Sequence, residues 1–151
     1  AIIIRPGGFY TSIIANLLVD GIAEAIQNTH AVKIFVVNLM NRKGQTTGFK
    51  VSDHLRGVEK YLGKGIFDYI LVNNQEPLKE LIDMYREEGE LVHCDIEGSN
   101  VILAPLLGEM KKQTKGDILE RSLIRHDSKR VSLELMKIIA RVDEHCYSSL
   151  I

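Results

Sequence analysis

Most features that would commit a sequence to a compartment or a partner are missing from these 151 residues. The formal net charge is −1, from 19 Lys and Arg against 20 Asp and Glu, so no global field points to nucleic acid or an acidic membrane surface. No apolar run approaches the roughly 20 residues of a membrane span. The opening Ala-Ile-Ile-Ile is too short for a signal-peptide core. The only cysteines, Cys94 and Cys146, are far apart and form no Cys-x-x-Cys pair, which reads as two reduced thiols in a cytoplasmic protein. Five histidines (His30, His54, His93, His126, His145) show no metal-ligand spacing, so no structural metal site is expected. Neither G-x-G-x-x-G nor a P-loop occurs, and no nucleophilic triad or pair of catalytic carboxylates can be read off. Repeats, low-complexity tracts and linkers are absent too.

What is there is an alternation. Apolar content of 45% with 26% charge suits a soluble globular chain, and the length fits a single domain over 1–151. Short β-branched runs at Ile2–Ile4, Lys33–Val37, Tyr69–Val72 and Val101–Leu103 are apolar on consecutive residues, as in strands covered on both faces. Glu90–His93 is a weaker strand candidate. Helical patterns fill the gaps at Ser12–Asn28, with an irregularity expected at Asp20-Gly21, and at Ser52–Leu62, which ends at Gly63. Two more follow, at Pro77–Glu88 before Gly89 and at about Ser128–His145, the last capped by Asp127 or Ser128. Strand–helix–strand repetition predicts a Rossmann-like α/β fold with a mainly parallel sheet and flanking helices.

That topology has a chemical consequence. Loops leaving the C-terminal ends of parallel strands emerge along one edge, where ligands bind. Here they are Arg5–Phe9, Asn38–Phe49 and Asn73–Glu76, and the helices after them are expected to aim their N-termini at the same edge. Gly7 and Gly8, followed by the hydroxyls of Thr11 and Ser12, would let a backbone approach a phosphate closely, or form a plain turn. The polar, glycine-punctuated loop Asn38–Phe49 is long for a strand–helix connection. Its Asn38, Asn41, Thr46 and Thr47 are neutral hydrogen-bonders and Arg42 and Lys43 add charge suited to phosphate, so it suits either a ligand or solvent. Asn73 and Asn74 could read a base or sugar, or simply favour a turn. Tyr85 on a helical face reads as core. Arg125 could clamp a phosphate or lie solvated. It opens an R-x-x-S sequence ending at Ser128, beside Lys129 and Arg130, which makes Ser128 a candidate phosphorylation site. Asp53-His54 looks like an acid–base pair, but neighbours in a helix do not face each other, so capping is the expected role.

Four ordered blocks carry a family resemblance: "PGGFYTSIIANLLVDGIAEAI", "VVNLMNRKGQTTGFKVSDHL", "VNNQEPLKELIDMYREEG" and "LIRHDSKRV". Over nearly the whole chain they resemble the C-terminal half of the gluconeogenesis factor (YvcK) family, the bacterial branch of the CofD-like superfamily. The resemblance implies a binding module for a UDP-sugar, linked to cell shape and carbon metabolism. It implies Gly7, Gly8, Thr11, Ser12, Asn38, Gly44, Thr46, Asn73 and Asn74 as ligand-binding positions, and it raises Tyr85 and Arg125 to the same standing. It also implies a preceding half with a Gly-rich nucleotide loop, and apolar surface here where that half would pack. An alternative is a CofD-like 2-phospho-L-lactate transferase whose catalytic residues and Mg²⁺ ligands lie in that other half. A third is a subunit whose role is association, with a partner or as a homo-oligomer. Arg5 stands where the family's first loop glycine does, and Gln45 replaces a glutamate.

Overall fold

The four apolar runs become the four strands of one sheet. The computed structural model describes residues 1–108 and 124–148, with side chains up to 142; the side chains of His145 and Cys146 lie outside these. Strands β1 (Ile2–Ile4), β2 (Lys33–Val36), β3 (Tyr69–Asn73) and β4 (Val101–Ala104) lie side by side in chain order, every pair parallel. Glu90–His93 does not join them. Leu91 instead makes an isolated antiparallel bridge to Met40, outside the sheet.

Both faces are covered, which is why the central strands read as continuous apolar runs. Phe35, Val37, Ile70 and Val72 pack beneath the first helices, whereas Val36, Leu71, Ala104 and Leu106 face Val131 and Leu135 of α5 (Ser128–Ser148). β1 and β4 are the sheet's edges, and Ile3 and Leu103 on them are exposed, as are Leu18, Val19, Met84, Leu133 and Met136.

The stretch expected as one helix is two. A wide π turn over Phe9–Ile14 runs into α1 (Ala15–Leu17), and α2 (Ile22–Asn28) leaves at 72° to it. Gly21 makes the break possible, since its φ of +83° is a left-handed conformation that favours glycine. In the π turn the amides of Ser12 and Ile13 both donate to Gly8 O (2.8 and 3.1 Å), while Ala15 N–H reaches Tyr10 O. Ile13, Leu17 and Ile26 bury the expected stripe.

α3 (Val51–Leu62) buries Val51, His54, Val58 and Leu62, a spacing that keeps one face on the core, and stops at Gly63. Asp53 accepts the Lys50 N–H at 2.9 Å, so it caps the helix as expected, and this bond holds its carboxyl below the usual range. α4 (Lys79–Tyr85) is shorter than its periodicity suggested, beginning two residues past Pro77. Asp127 caps α5: its Oδ1 accepts the amides of Lys129 (2.8 Å) and Arg130 (2.9 Å). No single helix among the described residues is long and apolar enough to cross a membrane.

Candidate functional site

At the C-terminal ends of β1 and β2 the chain opens a cleft of about 890 Å³. That is the size of a site for a nucleotide-scale ligand. Its walls come from four separate segments: Arg5 to Phe9, Asn38 to Lys43 with Gln45 and Thr46, Tyr85 with Glu87 and Glu88, and Ile124 to His126.

The first two walls are joined by a side chain. Asn38 Oδ1 accepts the Gly7 N–H at 3.2 Å, and its Nδ2 donates to Gly7 O at 2.8 Å. Gly8 follows as the first residue before the π turn, and a Cβ there would sit 2.2 Å from Thr11 Oγ1, so glycine lets the hydroxyl fold over the loop. The second wall is stapled internally. Thr46 Oγ1 accepts the Arg42 N–H at 2.8 Å, and Gly44, at φ +77°, turns the loop while its N–H reaches Thr47 Oγ1.

The third wall explains how Tyr85 reaches the site. Residues 39–43 run antiparallel to 88–92, with Asn41 N–H donating to Glu90 O (2.7 Å), Lys43 N–H to Glu88 O (2.8 Å) and Val92 N–H to Leu39 O (2.9 Å). This clip draws the C-terminal end of α4 over the loop. Gly89 permits it, because a Cβ at 89 would lie 1.9 Å from Asn41 O. Of the three expected helix N-termini, then, only the one beginning after Gly8 borders the cleft; α4 presents its other end. The fourth wall arrives by a second clip. Gly108 N–H donates to Arg125 O and Asp127 N–H to Leu106 O, both at 2.8 Å, and Leu107 bridges His126.

Among the sequence-derived candidates the cleft therefore gathers Gly7, Gly8, Asn38, Thr46, Tyr85 and Arg125. Gly44, Thr11 and Ser12 do not line it; Ser12 borders a separate depression of about 270 Å³ between β1 and the first helices. Asn73 and Asn74 share the sheet edge but stand apart from the cleft. The Asn73 amide is spent on the fold, with Oδ1 accepting Leu106 N–H at 3.0 Å and Nδ2 donating to Gln75 O at 2.6 Å. Ser128 opens α5 outside the cleft, next to the Asp127 carboxylate that already holds the first-turn amides.

His126 and His54 escaped sequence reasoning as parts of the site, whereas Asn41 was among the hydrogen-bonders expected of its loop. Asn41 and His126 line it, and His54 stands behind Asn41 with its Nε2 2.9 Å from Asn41 Oδ1. Burial pushes both imidazoles down to about 4, so both are neutral at pH 7. The cleft also carries Arg5, Arg42, Lys43 and Arg125 against Glu87 and Glu88, with Lys43 and Glu87 3.3 Å apart. Its surplus is cationic, which suits an anionic ligand. No group of three His, Cys, Asp or Glu that could hold a metal ion occurs among the described residues. These side chains thus do not fit a Mg²⁺ site by themselves.

A parallel sheet with flanking helices and a polar, glycine-bearing cleft off its first two strands defines a Rossmann-like α/β domain. The chain belongs to the CofD family, whose model, described as 2-phospho-L-lactate transferase CofD, matches residues 1–107. Its curated relatives are gluconeogenesis factors. That of Bacillus subtilis is 32% identical over 139 residues, covering 91% of this chain and 42% of the relative. A Thermotoga maritima protein, provisionally given the same name, is 43% identical over 144 residues, covering 93% of this chain and 43% of its own. The crystal structure of a UPF0052 family member from Bacillus halodurans superposes with a TM-score of 0.75 at 33% identity, over 89% of this chain and 42% of that one. The chain thus spans about two fifths of the length of these relatives.

Proposed function

We propose that the cleft binds a nucleotide-sugar of the UDP-sugar type, and that the chain serves as the binding part of a regulatory protein of the gluconeogenesis factor kind, tied to cell shape and carbon metabolism. One observation carries the reading. Gly8 at a helix start, the neutral hydrogen-bonders Asn38 and Thr46, the Tyr85 ring and the Arg125 guanidinium converge on one cleft from four parts of the chain. Backbone N–H groups and guanidinium suit a diphosphate; an aromatic ring and amides suit a base or sugar. Calorimetry with UDP-GlcNAc, NAD and ATP tests this. The UDP-sugar should bind best, and equal or absent heats reject the reading. Arg125→Lys keeps the charge but loses the planar fork, so it should cost about 1–3 kcal/mol of binding; parent-like affinity would remove Arg125 from the site.

The matched family model favours a second reading, phospholactyl transfer in the manner of 2-phospho-L-lactate transferase. The Mg²⁺ ligands of that reaction would then come from the length of the relatives that this chain does not span. Assay of a longer protein for Mg²⁺-dependent transfer separates the two readings.

A further inference from the structure

His54 is fully buried, four residues into α3, yet nothing in the proposed ligand contacts uses it. Its ring lies edge-on to Phe9 (5.0 Å) and to Phe49 (5.5 Å), and Phe9 and Phe49 are themselves 5.9 Å apart. Phe9 begins the helix at the cleft's first wall, and Phe49 ends the loop that forms its second. The polar bond is directional. Asn41 Nδ2 donates to Phe49 O at 2.7 Å, which leaves Oδ1 facing His54 Nε2 at 2.9 Å as an acceptor. Nε2 must therefore carry the proton, and Nδ1 is left unprotonated and without a hydrogen bond.

We propose that His54, in its neutral Nε2–H form, is the positioning residue of the cleft: through Asn41 it closes the neck of the loop 41–49 and fixes that wall against Phe9. The Asn41 amide is the side-chain tie that joins the loop's two ends directly, spanning eight residues to Phe49 O. Thr46 staples the loop inside, with its N–H on Arg42 O and its O accepting Phe49 N–H, and Glu90 holds Asn41 N–H and Gly48 N–H from outside. Without the imidazole donor, Asn41 Oδ1 is buried and unpaired, which favours an opened loop in which water can reach it. This deepens the reading of the cleft as a ligand site and rests on it, but the loop closure itself does not.

The test compares His54→Leu, which removes the donor, with His54→Gln, which can restore one from its amide. Val58→Ala, one turn further along the same buried face, is the stability control. Arg42 and Lys43 are exposed within the loop, so trypsin reports its opening without any ligand. In His54→Leu, cleavage there should rise at least tenfold over a Val58→Ala protein compared at equal distance below its melting midpoint, and UDP-GlcNAc affinity should fall about tenfold. His54→Gln should recover part of both. Nitrogen spectra of the parent should show the proton on Nε2 at pH 7. Cleavage no faster than in the control, a proton on Nδ1, or an opened loop with unchanged affinity each overturns the proposal. If the parent itself binds no UDP-sugar while the cleavage and tautomer results hold, the ligand reading falls and the loop closure stands.

Discussion

Gly57 offers a test in which two well-characterised effects have opposite signs. It sits inside α3, where replacing glycine by alanine ordinarily stabilises a helix by about 1 kcal/mol. Here a Cβ would lie 2.5 Å from Phe9 Cζ and 3.0 Å from Cε1. Ordinary carbon–carbon contact is about 3.5–4 Å, so the ring would have to move by roughly 1 Å. It has nowhere to go: Phe9 is 3% exposed, with Tyr10, Phe49 and His54 set edge-on around it. Overpacking of this kind costs about 1–3 kcal/mol, so Gly57→Ala should destabilise by about 1 kcal/mol after the helix gain is subtracted. Phe9→Leu removes the offending ring atoms. In that background the same alanine should stabilise by about 1 kcal/mol, giving a coupling of roughly 2 kcal/mol between the sites. Urea unfolding of the parent, both single variants and the double variant measures the cycle. An additive double variant, or a Gly57→Ala protein more stable than its parent, would refute the packing argument.

Three other outcomes are expected. Asn38→Ala removes both bonds to the Gly7 peptide and should cost about 1–3 kcal/mol of stability, read in denaturant, while weakening UDP-sugar binding further by freeing the loop. Gly89→Ala places a Cβ against Asn41 O, so the clip between 39–43 and 88–92 must shift; amide exchange should speed up at Asn41, Lys43 and Val92, with the sheet amides unchanged as the control. Acid should act through the histidines before the carboxylates. With a folded value of about 4 against 6.5, His54 binds its proton mainly in the unfolded chain, so stability is complete above pH 6.5 and falls as pH drops toward 4. That loss is roughly 2–3 kcal/mol for His54 by pH 4.5. His126 adds in the same direction, whereas Asp53, Asp95 and Asp127, all held low, act only below this window. An unfolding free energy flat from pH 6.5 to 4.5 would contradict it.

The strands were legible because each is a run of about four apolar residues in succession, the mark that burial on both faces leaves on the central pair β2 and β3. β1 is met with its boundaries unchanged, and the others shift by one residue at one end. The first helix was less legible. Its start at Phe9, ahead of the expected Ser12, depends on two amides sharing Gly8 O, for which no residue pattern signals in advance. Tyr85 was placed in the site by resemblance alone. The clip that carries it there pairs segments some fifty residues apart, and such pairing leaves no periodic trace. Asn73 shows the converse. Its chemistry suits a ligand, but the backbone of Leu106 needed an acceptor and took it. His54 did carry a signal, since it falls between Val51 and Val58 on the buried stripe of α3, where a lone polar residue must find a partner.

The Asn38 side chain imitates a peptide unit. It donates to and accepts from Gly7 as a neighbouring strand would, adding one more rung between β1 and β2 after their own pairing has ended at Ile4 and Phe35. A rung consumes what it touches. Gly7 therefore faces the cleft with its N–H already spoken for, and the two-glycine turn is left with a single glycine amide to offer an anion, that of Gly8. A phosphate held here would register on Gly8 and the amides that follow it, one residue further into the π turn than the glycine pair suggests. The residue that sets this register is not a glycine at all but an asparagine thirty-one positions away.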